Sequence, residues 1–173
     1  MKNTMKWLLL AAFMVAAMSL SAQQKPLKLG HIESSKLVAA MPEMAQAQKD
    51  LEAQQAEVQK ESQNLRDQYQ KLIVEYTQNQ KTYSEIILAS KEQEINELGQ
   101  RIQKFEELAM NKLQKTREEL FEPVMTKATN AIKEVAKENG FTYIFDMSSG
   151  AILFASETSE DILPLVKKKL GIQ

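Results

Sequence analysis

Residues 37–76 read LVAAMPEMAQAQKDLEAQQAEVQKESQNLRDQYQKLIVEY, and this segment sets the architecture of the chain. It is rich in Gln, Glu, Lys and Ala, which are good helix formers. An apolar residue recurs every seven positions, at Leu37, Met44, Leu51, Val58, Leu65 and Leu72. At 100° per residue these side chains share about a third of the helix circumference, so the segment predicts a long amphipathic helix.

A second run of the same kind follows a short polar break. Its apolar positions are Leu88, Ile95, Leu98, Ile102, Phe105, Ala109, Leu113 and Leu120. Between the runs, residues 77–82 contain no apolar side chain and include the poor helix formers Thr77, Asn79 and Thr82, which predicts a reversal of the chain. Two heptad-like runs of similar length joined in this way predict an antiparallel helical hairpin over residues 43–122, hereafter the arm, with its tip near residues 77–84.

The apolar face of the first run is weak. Most of its heptads carry one apolar position, and Gln54, Gln55, Glu61 and Gln68 stand where a stable coiled coil has leucine. We therefore expect a flexible, marginally stable arm whose helices are each about 55 Å long at a rise of 1.5 Å per residue. One continuous helix in a parallel coiled coil is the alternative, and the weak first run argues against it.

Short structured segments flank the arm on both sides. Before it, residues 27–32 predict a strand, followed by a brief helix that ends ahead of Pro42, a residue suited to the first turn of the next helix. After it, Pro123 predicts a kink at the base of the arm. The pair Asn139–Gly140 predicts the end of that helix.

The C-terminal segment predicts two strands and a last helix. Residues 141–146 and 151–155 are apolar at nearly every position and flank the turn residues 147–150, which predicts a β-hairpin. Thr158, with Asp161 three residues later, is similar to a capping box and predicts the start of a final helix.

Both chain ends are therefore expected to build one small body, into which the arm is inserted. The predicted fold class is α+β, mostly α, with the body formed by residues 23–42 and 123–173. A body of about 70 residues buries little surface, and strands that are apolar on both faces need cover, so we expect self-association. The residues expected to form that contact are the large apolar ones of the two strands: Phe141, Tyr143, Ile144, Phe145, Ile152, Leu153 and Phe154.

The first 22 residues predict a cleavable export signal. Lys2 and Lys6 precede an uninterrupted apolar run, residues 7–18, and residues 19–22 supply the small side chains that signal peptidase needs. An uncleaved membrane anchor is the alternative, although the run is short for a membrane span. We therefore expect a periplasmic protein. Without cysteine it has neither a lipid attachment site nor a disulfide, so burial or oligomerisation must stabilise it.

Composition argues against catalysis and against nucleic acid as a partner. Without the signal, the chain carries 20 basic and 23 acidic side chains, whereas nucleic acid demands a basic face. The single histidine, His31, lies on the first predicted strand, where packing is a better explanation than chemistry. The sequence holds no cysteine, no Gly-rich phosphate loop and no metalloprotease or hydrolase motif, and it predicts no enzyme, cofactor or metal site.

The whole pattern resembles the Skp/OmpH family of periplasmic chaperones. The resemblance covers the mature chain, and its most specific part is the tail FTYIFD (141–146), AILFA (151–155) and EDIL (160–163). It implies a trimer whose bodies merge their strands, with arms that surround a cavity and hold unfolded outer-membrane proteins without ATP. One departure is the charge of residues 43–122, which hold 11 basic and 16 acidic side chains, whereas the best-known members have basic arms. The acidic arm argues against binding to anionic membranes.

The expected function is therefore that of an ATP-independent holdase for unfolded outer-membrane proteins. Such a protein needs exposed apolar side chains that an unfolded client can contact in many ways, kept soluble by flanking charges. Val74 lies opposite the first apolar face, and Ile86 and Leu108 lie off the second. With further residues near the tip, the predicted client contacts are Val74, Tyr76, Tyr83, Ile86, Ile87 and Leu108. A coiled-coil structural or tethering protein of the cell envelope is the alternative.

Overall fold

The structure is a computed structural model that describes residues 27–156 and 158–172. Strand β1 (Leu29–Ile32) leads into helix α1 (Ser34–Ala40), the long helix α2 (Pro42–Asn79) and the longer helix α3 (Glu85–Glu138). Strand β2 (Tyr143–Asp146), a 3-10 turn (Met147–Ser149), strand β3 (Glu160–Asp161) and helix α4 (Leu163–Leu170) follow. The predicted α+β, mostly α class is confirmed. The predicted export signal, residues 1–22, lies outside the described residues.

Helices α2 and α3 pack side by side as an antiparallel hairpin with residues 80–84 as its turn. Pro42 stands in the first turn of α2, where its missing N–H is not needed. Ser84 caps α3, and its hydroxyl accepts a hydrogen bond from the backbone N–H of Ile87. The 38 residues of α2 make it about 57 Å long at 1.5 Å per residue. None of the described helices is both long and apolar enough to cross a membrane.

The interface between α2 and α3 is sparse. Its buried side chains are Ala47, Ser62 and Leu65 from α2 and Ile95 and Ala109 from α3. Three of these five are alanine or serine, and Leu65 is the one large side chain among them that is fully buried. Other large apolar side chains of the two helices, such as Leu51, Leu72 and Leu98, are half-buried, so the interface is only partly closed to water.

Helix α3 passes through Pro123 without a break and continues to Glu138. A proline inside a helix removes one backbone hydrogen bond and crowds the preceding turn. Pro123 itself is exposed, whereas the next residue, Val124, is buried in the core. Burial of Val124 therefore holds this part of α3 against the body despite the proline.

The three strands form one parallel sheet in the order β2-β1-β3. Gly30 on β1 lies opposite Ile144 on β2, and His31 lies opposite Asp161 on β3. The predicted β-hairpin is therefore wrong, since β2 pairs with β1 and residues 151–155 form no strand within this chain. The reason is that the return of α3 to the start of α2 places β2 beside a strand from the opposite end of the chain.

Helix α4 also begins differently from the prediction. The Thr158 hydroxyl lies 2.8 Å from that of Ser156, and the Asp161 carboxylate accepts a hydrogen bond of 2.9 Å from the Leu163 backbone N–H. The predicted capping box is wrong, because β3 lies between Thr158 and the helix. The acid of the motif nevertheless satisfies one of the free N–H groups at the helix start.

The hydrophobic core joins both ends of the chain. Its buried members are Ile32, Leu37, Val38, Met41, Met44, Val124, Ala128, Ala131, Val135, Ile162 and Val166. Phe141 and Ile144 pack against this core from the side of β2. Gly30 allows them to approach: a β-carbon there would lie 2.8 Å from Phe141 Cε1 and 3.0 Å from Ile144 Cδ1.

Gly30→Ala should therefore destabilise the body by about 1–3 kcal/mol, because the added methyl group overlaps the Phe141 ring. Thermal unfolding of the protein without residues 1–22 measures the loss. The matched control is Gly99→Ala in α3, where a β-carbon meets only Tyr69, at 3.6 Å, and alanine favours the helix by up to about 1 kcal/mol. Equal losses in the two variants would contradict the packing account.

The carboxylate of Asp146 ties the end of β2 to the start of α1. It accepts hydrogen bonds from the Ser34 backbone N–H (3.1 Å), the Ser34 hydroxyl (2.6 Å) and the Ser148 backbone N–H (2.9 Å). Burial acts to raise the pKa of Asp146, but the bonds from Ser34 and Ser148 outweigh it and hold the pKa below its ordinary value. A lowered folded-state pKa means that this carboxylate stabilises the fold above its unfolded pKa, about 3.9. That stabilisation is lost as pH falls through the folded pKa.

Asp146→Asn should lower the free energy of unfolding by about 1–2 kcal/mol at pH 7, because a neutral amide accepts weaker hydrogen bonds than a carboxylate. The difference from the parent should shrink as pH falls through the folded pKa, where Asp146 becomes protonated in the parent as well. Urea unfolding across a pH series measures both effects. Asp67→Asn, on the exposed surface of the arm, serves as the control. A difference that stays constant with pH would show that the charge is not the cause.

Candidate functional site

Large apolar side chains are exposed along the arm. Ile86 is 84% exposed at the start of α3, and Leu108 is 57% exposed further along that helix. Val74 on α2 and Ile87 on α3 are exposed as well. Four of the six predicted client contacts are thus open to solvent. The arm therefore carries large apolar side chains that do not take part in the packing of α2 against α3.

Tyr76 and Tyr83, the other two predicted contacts, are placed differently. Both are half-buried near the tip, and both hydroxyls donate hydrogen bonds to carboxylates. Tyr76 donates to Glu92, and Tyr83 donates to Glu75 over 3.1 Å. These bonds fix both rings within the hairpin, so only part of each ring is open to solvent.

A polar network closes the tip of the arm. Lys91 Nζ lies 3.2 Å from Glu75 Oε1, which pairs α3 with α2. The bonds from Lys91 and Tyr83 lower the pKa of Glu75. The bond to Glu92 raises the pKa of Tyr76, and burial together with the bond to Glu75 raises that of Tyr83. Both tyrosines therefore remain protonated donors at neutral pH and hold α2 and α3 together.

One face of the body sheet is open, hereafter the open face. The in-register pairs Leu29–Tyr143 and His31–Phe145 place their side chains on it, since paired residues of parallel strands share a face. A groove of about 590 Å³ lies over this face, and its large apolar lining residues are Leu27, Leu29, Phe145, Met147, Ile152 and Phe154. Beside it, Leu153 is 94% exposed and Phe154 is 80% exposed. Contiguous apolar surface of this kind is typical of an association site.

The seven residues predicted for self-association fall into two groups. Phe141 and Ile144 pack against the core of their own chain, and Lys28 Nζ lies 4.0 Å from the centroid of the Phe141 ring. The other five are exposed or half-exposed: Tyr143, Phe145, Ile152, Leu153 and Phe154. Within β2, successive side chains point to opposite faces of the sheet, which places Ile144 on the core side and Tyr143 and Phe145 on the open face.

His31 is half-buried on the open face. Its Nδ1 lies 2.8 Å from the Ser159 hydroxyl, which ties β1 to the loop before β3. Among residues 27–156 and 158–172, no group of three or more His, Cys, Asp or Glu side chains is arranged to hold a metal ion.

The chain matches a known family over most of its length. The model of the family described as outer membrane protein (OmpH-like) matches residues 28–170. The chain belongs to this OmpH-like family. The matched range contains the whole arm, β1, β2 and β3, and therefore both surfaces described above.

The fold of this OmpH-like chain is similar to a solved structure. That structure is a candidate outer membrane chaperone (OmpH-like) from Caulobacter crescentus CB15, with a TM-score of 0.73 and 14% sequence identity. The superposition covers 84% of this chain and 85% of the other. At this identity the likeness shows a shared fold. Among curated proteins, none matches the chain in sequence.

The sequence pattern did not single out several residues of these OmpH-like surfaces. Leu27, Leu29 and Met147 line the groove of the open face, and Met110 is 69% exposed on α3. Alternation along β1 could have identified Leu27 and Leu29. Both precede His31 by an even number of residues, so all three side chains are expected on the same face of the sheet. Methionine gives no comparable signal, because it suits both cores and surfaces.

Proposed function

We propose that this OmpH-like protein is an ATP-independent periplasmic holdase that binds unfolded outer-membrane proteins and prevents their aggregation. The observation that carries the proposal is the exposure of Val74, Ile86, Ile87 and Leu108 on a hairpin whose own interface does not use them. Membership of the OmpH-like family supports it, as does the description of the Caulobacter structure as an outer membrane chaperone.

The scattered distribution of these residues suits a client without fixed structure. A partner of one fixed shape needs a dense apolar patch, whereas single apolar side chains spaced along a solvated helix give an unfolded chain many alternative contacts. Each contact is weak, so the client remains bound through several at once and can still leave. No nucleotide is needed for binding of this kind.

In this proposal the arm, residues 43–122, binds the client, and the body, residues 23–42 and 123–173, holds copies of the chain together. The open face supports self-association, because contact between copies would bury Leu153 and Phe154. Burial of apolar surface stabilises an assembly by about 25 cal/mol per Å². A trimer is the assembly that the resemblance implies. Residues 1–22 direct the chain to the periplasm, and the excess of acid on the arm disfavours anionic membranes as partners.

The test is suppression of aggregation. Purified mature protein is mixed with several unrelated outer-membrane barrels diluted from urea, without nucleotide, and light scattering is followed. We expect scattering to fall for all of them at near-stoichiometric protein. If scattering is unchanged, or falls only after ATP is added, the holdase proposal fails. Suppression for a single barrel would instead favour a tether with one fixed partner.

Replacement of Val74, Ile86 and Leu108 by serine should weaken client retention while the arm stays intact. Exposed positions change stability by less than about 0.5 kcal/mol each, so helicity and melting should barely move. Each lost side chain removes up to roughly 1.5–3 kcal/mol of burial when a client is bound, although a disordered client redistributes part of its contacts. Retention of an unfolded barrel on immobilised protein measures the loss.

The matched control replaces three exposed polar arm residues, Gln78, Gln100 and Asn111, by serine. It changes the same number of exposed positions and removes no apolar side chain. Equal retention by the apolar triple variant and the parent would show that clients bind elsewhere on the chain.

A further inference from the structure

A groove opens on one flank of the arm in the half nearest the body. It measures about 520 Å³, and its lining residues are Gln54, Glu57, Val58, Lys60, Glu61 and Phe105. Val58 and Phe105 are its apolar members, and both are half-exposed. The nearby buried contacts between α2 and α3 are the small side chains Ser62 and Ala109, which leave the larger apolar groups uncovered.

Two carboxylates and one lysine edge this groove, and none of the three forms an ion pair within residues 27–156 and 158–172. Glu57 and Glu61 are four residues apart on α2, so they lie on the same side of the helix. Like charges at this spacing destabilise a helix. Lys60, three residues after Glu57 and in the same groove, offsets only part of this negative charge.

The net negative charge of the arm lies in the half that contains this groove. Residues 43–62 and 105–122 carry 5 basic and 10 acidic side chains, whereas residues 63–104 carry 6 of each. A cation at the groove therefore gains from the two adjacent carboxylates and from the negative field of the surrounding surface. The field complements a basic ligand and repels an acidic one.

We infer that this groove is a client subsite for an arginine side chain within an extended, largely apolar chain segment. The inference rests on the proposed holdase function and names the segments that the arm selects. The guanidinium group stacks on the Phe105 ring and donates hydrogen bonds to Glu57 and Glu61, while its methylene stem lies against Val58. A lysine ammonium is compact and strongly hydrated, so it stacks less well and bridges two carboxylates less well.

The test uses short peptides that share one alternating apolar sequence and differ at a central arginine, lysine or glutamine. Binding to the full mature protein is measured by fluorescence anisotropy at low and at physiological salt. We expect the arginine peptide to bind about tenfold more tightly than the glutamine peptide at low salt, with a smaller ratio at higher salt. Glu57→Gln with Glu61→Gln should reduce the ratio to about twofold or less, and Phe105→Leu should remove the preference for arginine over lysine.

The matched control is Glu52→Gln with Glu107→Gln, which makes the same change in charge on the same half of the arm but outside the groove. It should keep the arginine preference. Circular dichroism of the Glu57 and Glu61 variant should show unchanged or higher helicity, because the substitution removes a like-charge pair. If the control loses the preference as fully as the groove variant, the general field selects the client and the subsite is overturned.

Retention of unfolded barrels by the parent is measured with the same preparation, which separates this inference from the holdase proposal. A parent that holds barrels but shows no preference for the arginine peptide overturns the subsite and leaves the holdase in place. A parent that prefers arginine through Glu57 and Glu61 but does not hold barrels supports the subsite and overturns the holdase.

Discussion

Leu153→Asp combined with Phe154→Asp should convert the proposed assembly of copies into monomers that remain folded. In the single chain both side chains are almost fully exposed, so their loss removes nothing from its core. In an assembly that covers the open face, each new carboxylate becomes a buried charge without a partner. Each such charge costs about 2–5 kcal/mol. Sedimentation velocity at micromolar concentration measures the change in mass, and far-UV circular dichroism checks the fold.

Two further variants serve as controls for this prediction. Ile144→Asp should unfold the body itself, because Ile144 packs against the core of its own chain. Gln70→Asp with Gln78→Asp adds the same charge to exposed positions of the arm and should leave the assembly intact. A parent that is monomeric at micromolar concentration, or a Leu153 and Phe154 variant that stays assembled, would show that copies do not meet through this face.

The arm was predictable from sequence because its signal is repeated many times. Leu65, Ile95 and Ala109 all lie at positions that the heptad pattern places on the packing face, and all three are buried. The break after Tyr76 contains polar residues that end one helix, and Ser84 then supplies a cap for the next. Helix pairing of this kind depends on local spacing, which the sequence shows directly.

The sheet was not predictable in the same way. Pairing of β1 with β2 depends on where the long hairpin returns the chain, which no local pattern encodes. The apolar runs 141–146 and 151–155 look alike in sequence, yet the first is a strand inside the chain and the second stays unpaired. A segment that is apolar because it contacts a partner would carry the same pattern as one that is apolar because it packs in its own core.

The candidate client contacts on the arm were also predictable only in part from the sequence. Helical spacing separated Val74, Ile86 and Leu108 from the packing face, and all three are exposed. Spacing could not show that the hydroxyls of Tyr76 and Tyr83 reach carboxylates, since those contacts depend on side-chain length and on the turn. Aromatic residues with a polar end can serve structure and binding at once, so sequence alone does not separate the two roles.

Leu65→Ala should open the outer part of the arm while the body stays closed. Leu65 is 2% exposed, and the other buried residues of α2 are Met44, which belongs to the core of the body, and the small Ala47 and Ser62. Removal of a fully buried leucine costs about 2–5 kcal/mol, and no other large side chain between α2 and α3 is buried as completely. Amide exchange over residues 63–104 should therefore accelerate by about 30-fold or more, since every 1.4 kcal/mol corresponds to a factor of about ten.

Val58→Ala is the matched control for this prediction. Val58 lies on the same face of α2 but is half-exposed, so its truncation removes less buried area and leaves no enclosed cavity. Exchange in the outer arm should change by only a few-fold in that variant, and exchange in β1 and β2 should be unchanged in both. Equal acceleration by the two substitutions would mean that no single contact holds the hairpin closed. The polar network of Glu75, Tyr83 and Lys91 would then be the main restraint at the tip, and Glu75→Gln should open the arm instead.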